Sequence, residues 1–435
     1  MTGSAENHGE DVDAAGESKE EMDEEMGILA AKECLKHDHP LHWAIENGKS
    51  LEVMEYLVDK AEGRRKKQLF EADKDSRYPL HVACRFGASL EVIKYLVEEA
   101  DGDKGKAKLG HADKYDKYPL HLALEDGASV GVIQYLVGKA DSDEEKAVLG
   151  KKDKDGRYPL HVACKGDPSY EVIKHLVEGV DKDKGKAPLG KPDEDGKFPL
   201  HLALEGRASY KVIEYLVEKA DGDKGKAVLG NEEKDGRYPL HVACRFGASH
   251  KVIKYLVEEA DGNRGKAPLG KPDEDGKYPL HLALEDGASL EVIQYLVEKA
   301  DGDKGKEVLG IADKDGRYPI HFLACKFVPS YEEIKYLVEE ADGDRGKALL
   351  GKADKDGKYP HQLALECDPS YKVIEYLLKE EDEVKGKPRH PKPMLLGAGA
   401  LPHPPTLEDE VAVEFTRISV QLESALIQHK LAMQY

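Results

Sequence analysis

The sequence contains no apolar run near the ~20 residues that a helix needs to cross a membrane, and it has no excess of basic residues. Its 65 lysines and arginines are outnumbered by 86 aspartates and glutamates, giving a net charge of -21. Nucleic-acid binding requires a basic surface that neutralises phosphates, so nucleic acid is not expected as a partner. The same charge opposes adsorption to an anionic membrane. A basic protein partner would suit it.

Cysteine is also scarce, with six residues in a chain of 435. This number is too small for a disulfide scaffold, so we expect a reducing compartment, the cytoplasm, with the nucleus as an alternative. The N-terminal residues are acidic and polar, and they lack the basic start and apolar core of a signal peptide.

The composition changes along the chain and predicts four segments. They are a disordered acidic tail over residues 1–28, a repeat array over 29–380, a Pro/Gly-rich linker over 381–405 and an amphipathic C-terminal helix over 406–435. The apolar face of the last segment is formed by Val411, Phe415, Ile418, Leu422, Ala425 and Leu426. Such a face needs a cover, which could be the end of the array, a second copy of the chain or another protein.

A repeat of about 40 residues dominates the chain. Its marker is a Pro-Leu-His or Pro-Ile-His triplet, and a last copy has Gln362 in place of the histidine. The repeated histidines are His42, His81, His121, His161, His201, His241, His281 and His321. With the last copy, the pattern predicts nine repeats.

Each repeat is predicted to fold as a turn and two short helices. In the copy at Asp273–Ser289 an Asp/Gly-rich turn precedes Pro279, which suits the first turn of a helix. Gly287 ends that helix, and Ser289 is a good N-cap for a second helix with a stripe of apolar residues. Two helices cannot bury that stripe alone, so neighbouring repeats must stack.

These residues resemble the ankyrin repeat. Its pattern of turn, Pro-Leu-His and second helix is matched by Asp153–Gly156, Pro159–His161 and Glu171–Ile173. Three features depart from it: an aromatic residue replaces the family's threonine before the proline in eight repeats, one residue is added before the second helix, and the link after the second helix is longer. The resemblance implies an all-α, ankyrin-type helical solenoid of nine repeats with long inter-repeat loops.

The repeats alternate in pairs, so the true period is 80 residues. Six positions after the proline, or seven in repeat 8 because of a one-residue insertion, the charge changes sign from repeat to repeat, in the series Glu46, Arg85, Glu125, Lys165, Glu205, Arg245, Glu285, Lys326 and Glu366. One hypothesis is an ion ladder between stacked repeats, which would fix their register. Inheritance from a duplicated two-repeat block explains the alternation equally well.

No catalytic, metal or cofactor site is expected. Eight equivalent histidines cannot be eight active sites, and the resemblance implies that they are structural hydrogen-bonding residues. The DGDKGK loops lack the carboxylates that complete a calcium loop. Cys34, His37, His39 and His42 are close in sequence, but no second cluster completes a zinc site.

Exposed aromatic residues beside a basic residue are typical of binding hot spots. The candidates for partner binding are Arg85, Phe86, Arg245, Phe246, Lys326 and Phe327. The alternative is that the phenyl rings lie on adjacent repeats.

The resemblance implies a non-catalytic interaction or scaffold protein that binds another protein through the concave face and loops of the solenoid. The alternative is a structural protein that self-assembles through residues 406–435 or through the repeat array. No enzymatic activity and no cofactor are expected.

Overall fold

The computed structural model describes residues 26–60, 71–101, 108–139, 146–166, 169–179, 188–220, 228–259, 268–300, 306–325, 330–339, 349–367 and 371–385. These residues form helices and turns, and none of them is in a strand. The chain divides into two compact bodies, Met1–Ile374 and Glu375–Tyr435. The first holds the repeats up to the start of the last helix, and the described part of the second, residues 375–385, is the rest of that helix.

Nine helix pairs follow one another, as the sequence predicts. The first helices of repeats 1 to 9 are Pro40–Glu46, Pro79–Arg85, Pro119–Glu125, Pro159–Cys164, Pro199–Glu205, Pro239–Arg245, Pro279–Asp286, Pro319–Ala324 and Pro360–Glu366. The second helices are Leu51–Asp59, Leu90–Asp101, Val130–Lys139, Tyr170–Glu178, Tyr210–Ala220, His250–Glu259, Leu290–Ala300, Tyr331–Glu339 and Tyr371–Lys385. The prediction of an all-α solenoid is confirmed.

Both predicted ends of the array differ from the structure. Residues 26–34 are helical, so the boundary expected at residue 28 falls inside a helix. Ala31 and Cys34 from this helix join the apolar core of the first repeat, which shields its outer side. The last helix continues to Lys385, so residues 381–385 are not the start of a linker. The C-terminal segment 406–435 lies outside the described residues.

Neighbouring repeats stack first helix on first helix and second helix on second helix. The predicted stripe of Val292, Ile293, Leu296 and Val297 is buried, and the corresponding residues of the other repeats follow the same pattern. Short helical turns between repeats, such as Lys108–Gly110, bury an additional leucine. The core is therefore one continuous apolar layer between repeats.

The repeated histidines lie at the junction of two repeats and are almost inaccessible to solvent. His281 is 0% exposed, and its Nδ1 accepts the N–H of Tyr278 at 3.1 Å. Its Nε2 lies 3.2 Å from the carbonyl oxygen of Ile311 in the next repeat. Because Nδ1 accepts, the proton must be on Nε2, which donates to that carbonyl. Seven of the eight histidines reach a carbonyl in the following repeat in this way.

Burial keeps these side chains neutral. It lowers the pKa to about 4 in His81, His161, His201, His241 and His281. Protonation would place a charge in the core and would remove the lone pair that accepts the tyrosine N–H. A neutral ring is therefore a condition of the fold at pH 7.

The Asp-rich turns are joined to one another along the array. In repeat 7 Asp273 Oδ1 accepts the N–H groups of Asp275 at 3.0 Å and Lys277 at 2.8 Å. The carbonyl of Asp275 accepts the N–H of Lys314 in the next turn at 3.0 Å. Gly276 has φ +77° and approaches so closely that a Cβ would lie 2.9 Å from the Lys314 nitrogen. The backbone of each turn thus fixes the position of the next turn.

Repeat 9 provides a natural test of the histidine, because Gln362 Oε1 there accepts the N–H of Tyr359 at 2.9 Å. We expect His281→Gln to keep that bond and lose only the one to Ile311, costing about 1 kcal/mol of unfolding free energy. His281→Ala loses both bonds and leaves a cavity, so we expect about 2–4 kcal/mol. Urea denaturation of the full chain, followed by circular dichroism, measures both. Equal losses would contradict the role of Nδ1.

Candidate functional site

The partner-binding candidates lie where the first helices end. Arg85 is the last residue of its helix and is exposed, and Phe86 is 48% exposed. In repeat 6 Arg245 is exposed and Phe246 is half-buried. Within the described residues neither arginine makes an ion pair, so both guanidinium groups are available.

Lys326 and Phe327, the third candidate pair, lie outside the described residues. The alternative interpretation, that the rings lie on adjacent repeats, stays a prediction beside partner binding; Phe86 is 48% exposed.

Among the described residues, the members of the proposed ion ladder do not pair with one another. Four of its glutamates pair instead with a lysine in the turn of their own repeat, eight residues earlier, and Glu46 pairs with Arg77 of the next repeat at 3.7 Å. The lysine pairs are Lys117–Glu125 at 2.6 Å, Lys197–Glu205 at 2.6 Å, Lys277–Glu285 at 2.8 Å and Lys358–Glu366 at 2.8 Å. A lysine that runs along its own helix is nearer than an arginine one repeat away, which explains the difference.

The repeats between these have arginine at the position of that lysine, and each arginine pairs with aspartate or glutamate in its own turn. Two of the arginines also reach the next turn. Arg237 lies 2.9 Å from Asp235 in its own turn and 3.3 Å from Asp273 in the next one. Arg157 contacts Asp155 and Asp193 in the same arrangement, at 2.8 and 4.0 Å. The alternation of the sequence therefore appears as two kinds of ion pair, lysine with the glutamate at the end of its own first helix and arginine with the carboxylates of the turns.

Tyr115 interrupts the row of aspartates at the turn tips. It occupies the position that Asp75 and Asp155 hold in neighbouring repeats, and it is 49% exposed. The Nζ atoms of Lys114 and Lys154 lie 4.8 and 5.9 Å from its ring centroid. Aligning the turns by position would have revealed this residue, which the sequence analysis did not single out.

Arg207 is the second residue that the sequence analysis missed. It has φ +55° at a position where five other repeats have glycine. Its Nη2 and a carboxylate oxygen of Asp286 both lie over Gly247, at 3.7 and 2.5 Å from the Cβ that this glycine lacks. Burial raises the pKa of Asp286 and the Arg207 guanidinium opposes the rise. The three residues line an open cleft of about 400 Å³ between repeats 5, 6 and 7.

The residues considered for metal binding do not converge. Cys34 donates to the Ala30 carbonyl, His37 stacks on Trp43, and His42 bonds the Arg77 carbonyl. Within the described ranges no group of three histidine, cysteine or carboxylate side chains is arranged to hold a metal ion.

The repeated cysteines are core residues. Cys84, Cys164 and Cys244 are at most 1% exposed, and burial raises the pKa of each thiol far above its ordinary value. In the described part of the chain, no helix has the length and apolar character required to span a membrane.

Glu233 is the one glutamate at the turn position that caps the backbone N–H groups in the other described turns. It stands where seven turns have aspartate, and within the described residues its longer side chain does not cap the two N–H groups. Its Oε2 is buried without a hydrogen-bond partner. Burial raises the pKa of Glu233 to about 7, Lys197 and Arg237 oppose the rise, and Glu205 and Asp235 add to it.

We expect Glu233→Asp to stabilise the fold by about 1–2 kcal/mol at pH 8, because it restores the cap and removes a poorly solvated charge. The folded pKa exceeds the unfolded value of about 4.3. Ionised Glu233 therefore lowers the free energy of unfolding of the unaltered chain as pH rises through 7. The stabilisation by Glu233→Asp should be smaller below pH 5, where Glu233 is protonated in the native state. Urea denaturation at pH 8 and pH 5 tests this. Asp273→Glu is the matched control and should destabilise; a gain that is independent of pH would contradict the role of burial.

Comparisons with known proteins point to one family. The family model described as ankyrin repeats (3 copies) matches residues 41–146, 120–227 and 222–308. Among solved structures, the chain is similar to the ankyrin repeat domain of Bcl-3, described as a unique member of the IkappaB protein family. The identity is 23%, the alignment covers 60% of this chain and 98% of that one, and the TM-score is 0.42. A search of curated proteins finds no match.

Proposed function

Because the chain belongs to the ankyrin repeat family, we propose that it is a non-catalytic protein that binds another protein through the exposed ends of its first helices and its turn tips. Ankyrin repeats are in general protein-interaction modules. The observation that supports this surface is the exposure of Arg85 and Phe86; within the described part of the chain Arg85 makes no ion pair. Arg245 and Phe246 repeat the arrangement, and an aromatic residue beside arginine is a frequent hot-spot composition.

The chemistry of the buried groups supports the absence of catalysis. The histidine rings are neutral and enclosed, and the core thiols are held in the protonated form. A catalytic base or nucleophile needs access to a substrate, which none of these side chains has. The net charge of -21 supports a protein partner rather than nucleic acid or an anionic membrane.

We expect a chain with Arg85→Glu, Phe86→Ala, Arg245→Glu and Phe246→Ala to lose its partner, because removing hot-spot residues costs 2 kcal/mol or more, about 30-fold in affinity. The measurement is affinity capture from the source cells with quantitative mass spectrometry, comparing the unaltered chain and the variant. Circular dichroism checks that the variant is folded.

The matched control changes the same repeats on their second helices, where Lys94→Glu and Lys254→Glu alter exposed residues. Proteins that bind the unaltered chain and the control, but not the first variant, support the proposal. Partners lost equally from both variants would contradict the assignment of the surface.

A second candidate function, self-assembly, is favoured by one observation at the end of the array. Leu365 in repeat 9 is 44% exposed, whereas its counterparts Leu204 and Leu284 are almost fully buried between repeats. An exposed apolar end needs a cover. We expect light scattering to give the mass of a monomer at all concentrations if residues 406–435 of the same chain cover it. A mass that rises with concentration, and falls when those residues are removed, would support self-assembly.

A further inference from the structure

Two separated parts of the chain present the same surface. The thirteen residues at 77–89 in repeat 2 are identical to those at 237–249 in repeat 6. The thirteen at 117–129 in repeat 3 are likewise identical to those at 277–289 in repeat 7. We call Arg85, Phe86 and Asp126 the first RFD patch, and Arg245, Phe246 and Asp286 the second RFD patch.

The structure builds both patches in the same way. In each, the carboxylate of the later repeat lies back over the glycine that follows the phenylalanine. Asp126 Oδ2 lies 2.8 Å from the missing Cβ of Gly87, and Asp286 Oδ2 lies 2.5 Å from that of Gly247. In each patch the carboxylate therefore lies over the turn that directly follows the arginine and the phenylalanine, and the two first helices that end there are stacked, once in repeats 2 and 3 and again in repeats 6 and 7.

Packing does not force this identity. Residues 157–164 in repeat 4 match residues 77–84 in every position, including all the buried ones. The sequences then diverge, and Lys165 and Gly166 replace the arginine and phenylalanine. In repeat 5, Gly206 replaces the aspartate. The same buried residues thus precede either Arg-Phe or Lys-Gly, so core packing does not explain why repeats 2 and 6 share the arginine and the phenylalanine. Gly206, by contrast, is explained by the close approach of the Gly166 backbone.

The chemistry of the patch defines what it can bind. Arg85 offers a charged donor for a carboxylate, the half-exposed ring of Phe86 offers apolar area, and Asp126 offers an acceptor for a basic group. A peptide segment with an acidic, an apolar and a basic side chain in succession is complementary to all three.

We propose that the two RFD patches are equivalent sites, and that each chain binds two peptide segments of this acidic–apolar–basic class. This inference rests on the proposed function and adds its stoichiometry and the chemistry of the partner. The patches are four helix-to-helix steps apart, each about 8–10 Å, so a path of roughly 32–40 Å separates them. A partner that carries two such segments gains affinity from both.

Two features distinguish the patches: Phe86 is exposed whereas Phe246 is half-buried, and Arg207 is near the second patch only. Arg207 reaches the second patch and faces Asp286, whereas the corresponding residue before the first patch is Gly48. The guanidinium group competes for the carboxylate that would receive the basic side chain of the peptide. The second patch should therefore bind the segment more weakly than the first, and Arg207→Gly should bring the two affinities together.

Random twelve-residue peptides displayed on phage, selected on the full chain, provide the probe. Clones that also bind a variant with Arg85→Ala, Phe86→Ala, Arg245→Ala and Phe246→Ala are discarded. The enriched synthetic peptides are then titrated by calorimetry. We expect two peptides per unaltered chain and one per chain when either patch alone is changed. Lys165→Ala, in the intervening repeat, is the matched control and should leave the stoichiometry at two.

Joining two copies of the peptide by a Gly/Ser linker of about 50 residues, whose mean span is about 40 Å, should raise the affinity at least 100-fold. Either single-patch variant should abolish this gain. A stoichiometry of one for the unaltered chain would overturn the inference and leave the proposed function intact. A selection that gives no peptide dependent on either patch would overturn both.

Discussion

A neutral histidine, buried between two repeats, is the group on which the stacking of this array depends. Its Nδ1 accepts a backbone N–H in its own repeat, and its Nε2 donates to a carbonyl in the next one, as His281 does with Tyr278 and Ile311. Both bonds require one tautomer, and burial lowers the pKa of the ring to about 4, so that this tautomer persists at neutral pH. The turn that supplies the carbonyl is thereby fixed, and its own aspartate and glycine position the turn that follows.

Most of this architecture could be predicted from the sequence, because it depends on local rules repeated nine times. Proline at the start of the first helix and serine before the second, as at Pro279 and Ser289, define the helices within a residue. The period of the apolar residues then defines the buried face. The ends of the array were harder to predict: at residues 26–34 and 381–385 the repeat pattern is absent, and only general helix propensity remains.

The candidate site was less predictable, since it depends on how far individual side chains reach. The alternation of charge was visible in the sequence, but a list of signs does not show that Lys277 extends along its own helix to Glu285 at 2.8 Å. Nor does it show that Arg207, at φ +55°, reaches over Gly247 towards Asp286. Such pairings depend on distances of a few ångströms between side chains. The spacing of motifs along the sequence does not give these distances.

Packing restricts the residue type at some exposed positions and not at others. Only the positions that packing does not restrict can indicate which partner the chain binds. Gly206 has a physical explanation, because a Cβ there would lie 2.3 Å from the carbonyl oxygen of Gly166. With glycine displaced by one position, Arg207 takes the left-handed backbone that glycine adopts elsewhere. Phe86 follows the same buried residues that precede Gly166 and yet is 48% exposed. The identity of those buried residues does not determine the phenylalanine, which is why the proposed binding surface is built on it.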